Sequence, residues 1–327
     1  MDKNQSPLLA VDLGGTKCSA ALISPAGQIL HRKQEATCQA GAQAGIEQIV
    51  RLCKEILVER ERSLAQVGAL GVSIAALLET SSDRVIWAPH LEGWADVPLR
   101  TLLEEQLKIP VAVEFDGHAA VLGEWWAGSG KGYHSLVNVI VGTGIGGGMI
   151  LDGKLYRGAN RLAGAAGWFT FFNTPEHSRE RASRFGGWEA MAAGPGLVEH
   201  TIKLAKQLSG SRLYEIAQPD SLTPADIFTC AEQGDQLARE ILDQLAEWLG
   251  LGIANIVSLV NPQIIILGGG LGSHCQALLP RIREVMIQRA QPYAARAVNL
   301  EISKLGPDAG LYGAAYAAMQ RLSTGAS

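Results

Sequence analysis

Apolar and polar positions in the first third of the chain follow a regular succession of strand and helix patterns. Alternating or continuous apolar runs indicate strands, and apolar residues that recur every three or four positions indicate helices. In chain order they predict three antiparallel strands, a helix, a strand, a short helix and a strand, at residues 8–11, 18–23, 28–32, 45–62, 69–74, 98–107 and 111–114. This β-β-β-α-β-α-β order predicts a mixed sheet with helices packed on it.

The second half of the chain begins with the same pattern. A strand, a glycine turn and two hairpin strands are indicated at residues 135–141, 147–151 and 154–156. Thr223-Pro-Ala-Asp226 predicts a helix start, and a long helix at 235–260 precedes a strand at 263–267. The architecture indicates a weak internal duplication. No linker rich in Pro, Ser or charge separates the halves, so we expect them to pack closely about a cleft.

Composition narrows the class of protein. The 327 residues are long enough for two domains, and 47% apolar against 18% charged residues favours a large core over disorder. The net charge of −4 without a basic run makes nucleic acid an unexpected partner. Five scattered cysteines indicate reduced thiols. The N-terminus lacks signal-peptide features, and the longest apolar region, 253–267, is too interrupted to span a bilayer, so we expect a cytoplasmic protein without membrane contact.

Two glycine-rich turns, each opening a β-hairpin, are the candidates for phosphate binding. Asp12-Leu-Gly-Gly-Thr-Lys17 follows the first strand, and Gly142-Thr-Gly-Ile-Gly-Gly-Gly148 follows the strand at 135–141. A lone Gly-Gly turn is usually only a hairpin turn, but a carboxylate beside a phosphate-binding turn makes sense if a metal ion lies between them. In the second turn each glycine weakens a strand by ~0.5–1 kcal/mol, which suggests a ligand close to the backbone. A third run at 267–272 suits an adenosine platform.

Between the two turns, Val111-Ala-Val-Glu-Phe-Asp116 ends an apolar strand on a carboxylate. A carboxylate at this place in the chain lies where a phosphoryl acceptor would need its base. The turns and Asp116 together predict ATP-dependent phosphoryl transfer, and they leave the acceptor open.

These motifs resemble the ROK family of bacterial sugar kinases and related repressors, within the actin, Hsp70 and hexokinase superfamily. The resemblance extends from Leu8 to about Ala318. Four further segments are similar to the family's base-bearing segment, its sugar-side loop and two of its other motifs, at residues 113–124, 88–94, 157–164 and 306–315.

The chain departs from the family pattern on the acceptor side. Phe115 precedes Asp116 where the family has Asn, and His90 replaces the Asn of the sugar-side loop. The stretch 165–168 lacks the family's sugar-binding Glu and its Gly-His pair. Because each lost hydrogen bond is worth ~0.5–1.5 kcal/mol, we expect an ordinary hexose to bind poorly in the family's usual pose.

The cysteine-rich zinc motif of the family is also missing. The matching stretch, 185–191, keeps only the acid that closes the motif, Glu189. We therefore expect no zinc, and apolar packing by Trp168 and Trp188 in its place.

The resemblance implies an α/β fold, the duplicated RNase H-like (actin-like ATPase) fold, with two domains around a cleft. The expected domains are 1–117, completed by a C-terminal helix at 307–327, and a nucleotide-binding domain at 118–306. Asp116 is expected to act as general base, and Asp12 to hold Mg²⁺ through water. The expected contacts to ATP are Asp12, Gly14, Gly15, Thr16, Lys17, Gly142, Thr143, Gly144, Gly146, Gly268, Gly269 and Gly270.

The acceptor contacts implied by the resemblance are Asp116, Glu189, His90, His118 and Trp168. Each histidine is alternatively a surface or packing residue, and Trp168 either stacks on a sugar ring or fills the space of the missing metal. The preferred function is an ATP- and magnesium-dependent kinase of a sugar or sugar derivative, with a small-molecule partner and a homodimer left open. The rival is an ATP-binding regulator or pseudokinase, favoured by the altered acceptor residues and disfavoured by the retention of Asp116.

Overall fold

The computed structural model describes residues 5–171, 178–205, 211–216 and 221–324. Its strands are β1 Leu8–Leu13, β2 Lys17–Ile23, β3 Ile29–Ala36, β4 Leu70–Ile74, β5 Leu77–Leu78, β6 Val85–Trp87, β7 Val111–Phe115, β8 Leu136–Val141, β9 Ile145–Leu151, β10 Lys154–Leu155, β11 Ile264–Gly268 and β12 Asn299–Ile302. Its α-helices are α1 Ala42–Glu59, α2 Leu99–Leu107, α3 Asp116–Ala127, α4 Arg179–Phe185, α5 Gly187–Ala192, α6 Gly194–Ala205, α7 Arg212–Ile216, α8 Pro224–Glu232, α9 Gln236–Val260, α10 Gly269–Gly272, α11 Leu279–Arg289, α12 Pro292–Ala297 and α13 Ala309–Thr324.

The first sheet has the order β3-β2-β1-β4-β7. Strands β1 to β3 are antiparallel, as the sequence predicts, whereas β1, β4 and β7 run parallel. In this register Asp12 pairs with Ser73, and Ser73 pairs with Glu114. Parallel strands end at the same edge of a sheet, so Asp12 and the residue that follows β7, Asp116, reach one edge together.

The second sheet repeats that order as β10-β9-β8-β11-β12. Strands β8, β11 and β12 are parallel, and β9 and β10 form an antiparallel hairpin. In both halves a three-residue turn, 14–16 or 142–144, joins the central strand to its antiparallel neighbour. The internal duplication predicted from the sequence is thus present in the architecture.

Helix α13 closes one face of the first sheet. Its residues Leu311 and Ala314 form a buried cluster with Leu8 and Ala10 of β1. Close backbone packing holds the helix there, because a Cβ on Gly71 of β4 would lie 1.7 Å from the carbonyl oxygen of Ala314.

The same helix packs against α3 through two more glycines. A Cβ on Gly313 would lie 1.6 Å from the carbonyl oxygen of Ala119, and one on Gly123 would lie 2.2 Å from that of Ala309. Only glycine permits approaches this close. Helix α3, which begins at Asp116, is therefore fixed by α13.

Contacts divide the chain into two units. The first comprises Met1–His134, Gly147–Gly164 and Pro307–Ser327, and the second Ser135–Gly146 and Ala165–Gly306. The predicted boundary at 117 is too early, because α3 packs on α13 and a Cβ on Gly117 would lie 2.3 Å from the carbonyl oxygen of Gly147.

Within the described part of the chain, no helix is both long and apolar enough to cross a membrane. Residues 1–4 and 325–327, included in the predicted domains, lie outside the described residues.

Candidate active site

Asp12 lies at the carboxyl edge of the first sheet, next to the end of β1. The hydroxyl of Ser73 donates a hydrogen bond to its Oδ1 at 2.7 Å. Burial raises the pKa of Asp12; the Ser73 hydrogen bond and the charge of Lys17 oppose that effect, and the carboxylate of Asp308 adds to it. A Cβ on Gly310 would lie 2.7 Å from Oδ1, so helix α13 leaves the carboxylate room only because it has glycine there.

The first glycine turn is anchored by side chains from the segment that follows β3. The Thr37 hydroxyl donates to the carbonyl oxygen of Gly14 at 2.7 Å, and the Gln39 amide donates to that of Gly15 at 2.6 Å. A Cβ on Gly15 would lie 2.6 Å from the Cβ of His90, so the exposed His90 lies against this turn. Nothing in the sequence pattern had singled out Thr37 or Gln39, since neither belongs to a motif.

Asp116 is the half-buried first residue of α3. Its Oδ1 accepts a hydrogen bond from the backbone N–H of Gly117 at 2.8 Å. Burial, and after it the negative charge of Asp12, raise the pKa of Asp116, the Gly117 N–H opposes both, and together they place it at about 7. A carboxyl group with a pKa near the working pH suits a general base, because it can accept a proton and release it again.

His118 lies two residues after Asp116 in α3 and is fully buried. Its Nδ1 is 3.3 Å from Oε1 of Glu114, and its Nε2 is 2.9 Å from the carbonyl oxygen of Ala163. Both ring nitrogens are thus used inside the first unit, and Phe115 packs edge-on against the ring with centroids 5.2 Å apart. These contacts agree with the packing alternative for His118, and a contact to the acceptor stays a prediction.

At three glycines of the second turn and the third run, the described residues around them would leave room for a side chain. A Cβ on Gly142 would meet only the backbone nitrogen of Gly270, at 3.9 Å. A Cβ on Gly146 or Gly270 would meet no described atom within 4 Å, and none of the three residues has a positive φ. Glycine in open space indicates that something outside the chain approaches the backbone there.

Gly144 differs from those glycines. A Cβ at this position would lie 2.6 Å from Oε2 of Glu189, the same oxygen that accepts the Ile145 N–H at 2.8 Å. Glycine at 144 is therefore explained by a contact within the second unit. Glu189, expected at the acceptor, has this structural contact to the first residue of β9.

The third glycine run adjoins the second turn. Gly268 ends β11, and Gly269 has φ of +84° with its Cβ position 2.5 Å from the carbonyl oxygen of Val141. Gly270 follows in open space beside Gly142. The structure thus brings together two of the three runs within the second unit.

A cavity of about 530 Å³ opens between these two runs. Its walls are Gly142, Thr143, Gly194, Pro195, Val198, Leu222, Thr223, Pro224, Ala225, Phe228, Gly270, Leu271 and His274. This volume is within the range of small-ligand pockets, and glycine backbone on one side with apolar side chains on the other suits a nucleoside carrying phosphates. The sequence indicated only part of one wall, the helix start at Thr223, whose side chain accepts from the Asp226 N–H as predicted.

The segment matched to the zinc motif is held by an aromatic pair and by backbone contacts. Trp188 is fully buried, stacks on Phe169 with centroids 5.8 Å apart, and donates from Nε1 to the carbonyl oxygen of Trp248 at 2.9 Å. A Cβ on Gly186 would lie 2.3 Å from the carbonyl oxygen of Gly167. The predicted packing by Trp188 is confirmed.

Trp168 is 60% exposed and does not fill the space of a metal, so that alternative is wrong for it. Among the described residues, no group of three or more His, Cys, Asp or Glu side chains is placed to hold a metal ion.

The family profile for the ROK family matches residues 8–321. The chain belongs to the ROK family. A glucokinase from Halalkalibacterium halodurans is 30% identical over 96% of this chain and 95% of its own length. A xylose repressor from Caldicellulosiruptor bescii is 29% identical over 93% of this chain and 76% of its own length.

The crystal structure of a ROK family glucokinase from Streptomyces griseus, in complex with glucose and AMPPNP, superposes with a TM-score of 0.78. It is 28% identical and covers 96% of this chain and 99% of its own. The fold class implied by the resemblance is therefore confirmed: this ROK protein has the duplicated α/β fold of the actin-like ATPases.

Proposed function

We propose that this ROK protein is an ATP-dependent kinase that transfers the γ-phosphoryl group to a hydroxyl of a sugar or sugar derivative. The observation that carries the proposal is Asp116, a carboxyl group with its pKa raised to about 7, at the sheet edge that also bears Asp12. The similarity to glucokinases, one of them in complex with glucose and a nucleotide analogue, supports it.

Asp116 acts on the acceptor in this mechanism. Its carboxylate takes the proton of the acceptor hydroxyl as the oxygen attacks the γ-phosphorus, and the bond between that phosphorus and the β–γ bridging oxygen breaks to release ADP. The N–H of Gly117 holds one carboxylate oxygen and so fixes the direction of the group.

The nucleotide is proposed to lie along the open glycines of the second unit. Gly142 and Gly270 leave room for phosphates against the backbone, and the cavity beyond them takes the nucleoside. The exposed hydroxyl of Thr143 lies on the cavity wall and provides a further phosphate contact.

The residues around Asp12 fit a magnesium ion bound through water. Asp12 supplies a hard oxygen ligand, and its raised pKa reflects burial and the nearby acid Asp308. Mg²⁺ keeps several waters and is usually held by one or two carboxylates plus substrate phosphates, so one carboxylate is enough. When bound, the ion would neutralise charge on the phosphates. We further propose that the protein has no structural zinc; a cytoplasmic location and a homodimer stay predictions.

A modified sugar is proposed to be a better acceptor substrate than glucose. Phe115 stands where the resembled family has Asn and cannot donate a hydrogen bond to a hydroxyl. The exposed Trp168 and His90 remain proposed contacts, the first as a stacking surface and the second beside the first glycine turn.

A panel of sugars tests the proposal. ATP turnover and phosphorylated product are measured with each sugar, for the wild type and for Asp116→Asn, which removes the proton acceptor but keeps the size of the side chain. General-base catalysis is worth ~10²–10⁴-fold, so transfer should fall by that factor while ATP affinity stays nearly constant.

Unchanged turnover in Asp116→Asn would remove this aspartate from the mechanism. A wild type that binds ATP but phosphorylates no sugar in a broad panel would favour an ATP-binding regulator instead. That outcome would agree with the altered acceptor residues.

A further inference from the structure

A second cavity, of about 520 Å³, lies within the first unit along β7. Its charged walls are Arg100, Arg157, Arg161, Arg321, Asp83 and Glu114. We call it the arginine cavity. The rest of its lining comes from the start of β7 and the last turns of α13, and it contains none of the glycine turns.

The charges around the arginine cavity do not balance. Three of the guanidinium groups, those of Arg100, Arg157 and Arg161, pair with only two carboxylates, which leaves one positive charge in excess. Guanidinium groups remain ionised in proteins, so this excess persists at every working pH. A set of ion pairs that served only to neutralise Asp83 and Glu114 would need only two arginines.

Both carboxylates are already engaged by the arginines. Glu114 accepts from Nε and NH2 of Arg157, at 3.1 and 2.5 Å, and from Arg161 at 3.3 Å. Asp83 accepts from Arg100 at 2.9 Å and also pairs with Arg161. Burial alone would raise the pKa of Glu114, but the hydrogen bond from His118 and the charges of the two arginines lower it to about 2. Glu114 is therefore a carboxylate at neutral pH, and its negative charge is already balanced by the arginines.

Arg161 gives an independent sign that a ligand is recognised here. Its side chain is only 7% exposed, yet its Nε has no hydrogen-bond partner among the described residues. Its backbone has φ of +56°, a conformation that residues other than glycine adopt rarely and at a cost in free energy. A buried donor without a hydrogen-bond partner requires an explanation, and an anion bound in the cavity supplies one.

We propose that the arginine cavity binds the phosphate group of a small phosphate monoester. Guanidinium forks match phosphate oxygens in charge and geometry, and the excess positive charge of the walls favours an anion. The cavity is several times larger than a bare phosphate, which leaves space for the alcohol part of the ester. This site does not depend on the proposed kinase reaction.

Calorimetric titration of the full chain without ATP tests the site, with inorganic phosphate and glucose 6-phosphate as the probes. Arg100→Gln and Arg157→Gln should each weaken binding by about tenfold or more. Arg157→Lys keeps the charge but removes the fork, and should weaken binding by a smaller factor. Arg62→Gln, an exposed arginine of the same unit outside the cavity, is the matched control and should bind like the wild type.

The arms of the experiment separate the outcomes. If the arginine variants lose binding, the wild type decides between the two ligands. Tighter binding of glucose 6-phosphate than of inorganic phosphate identifies an ester as the ligand, and equal affinity for the two probes identifies free phosphate. If these variants stay folded by circular dichroism and bind as the wild type does, while Gly142→Val loses binding, the phosphate lies on the glycine turns and the proposal is wrong. Failure of both probes to bind the folded wild type at millimolar concentration also overturns it. Since no turnover is measured, the result is independent of the test for kinase activity.

Discussion

The residues expected to bind the nucleotide and those expected to bind the acceptor differ in what surrounds them. Gly142 and Gly270 stand in open space, and no contact to a described residue requires glycine at either position. Among the residues expected to contact the acceptor, Glu189 accepts a hydrogen bond from the Ile145 N–H, and both ring nitrogens of His118 have partners within the first unit. A residue type that the fold does not need indicates a ligand, whereas a polar group that the fold uses indicates structure.

The largest effect should come from a side chain placed in the open space of the second turn. Gly142→Val puts a branched group where phosphates are proposed to meet the backbone, and Mg-ATP affinity should fall by about a thousandfold or more. The fold should be kept, because no described atom lies nearer than 3.9 Å to the new Cβ. Calorimetry and a thermal melt measure the two quantities.

Gly144→Val is the matched control for that experiment. Its Cβ would lie 2.6 Å from Glu189, so it should cost about 1–3 kcal/mol of stability before any ligand is added. If Gly142→Val binds ATP like the wild type, the open glycines do not mark the nucleotide.

A second test concerns the aromatic packing in the segment that lacks the zinc cysteines. Trp188→Ala should destabilise the protein by about 3–5 kcal/mol, because it empties a fully buried site and breaks a stack and a hydrogen bond. Trp168→Ala, at an exposed position, should change stability by less than about 0.5 kcal/mol. Denaturant melts measure both, and one zinc per chain by elemental analysis would contradict the proposed replacement of the metal.

The smallest expected effect is the pH dependence of stability that Asp116 causes. Its pKa is about 7 in the folded protein and near 4 in an unfolded chain, so between those values the folded state binds more protons. Stability from this group is therefore lost as pH rises through that window. Asp116→Asn lacks this group. Its free energy of unfolding, relative to that of the wild type, should therefore rise by on the order of 1–3 kcal/mol as pH increases from about 5 to about 8. A constant difference between the two melts across that range would show that the pKa is not raised.

Local patterns predicted most elements of the fold to within a few residues. The strand predicted at 111–114 is β7, and the helix predicted at 235–260 is α9. Both have strong periodicity and clear ends, Asp116 after the strand and Asp235 as the N-cap of the helix.

Features that depend on contacts distant in sequence were missed. The boundary after 134 follows from backbone packing of Gly117 on Gly147 and of α3 on α13, which no local pattern contains. The wall of the nucleotide cavity joins segments near 195, 223 and 271, and the role of His118 depends on the carbonyl of Ala163. The glycines themselves can be read from the sequence. Only the structure shows that a contact with Glu189 requires glycine at 144, whereas no described contact requires it at 142.

The packing of α13 has a consequence for how the chain is made. The strands of the first sheet are synthesised early. The helix that covers one apolar face of this sheet, Ala309–Thr324, is translated long after β1 and β4. Until then the cluster around Leu8 and Ala10 has no cover, so the nascent chain carries an exposed apolar surface through most of its synthesis. A stop codon before 309 would therefore produce a product with every strand of the first sheet that is nonetheless prone to aggregate.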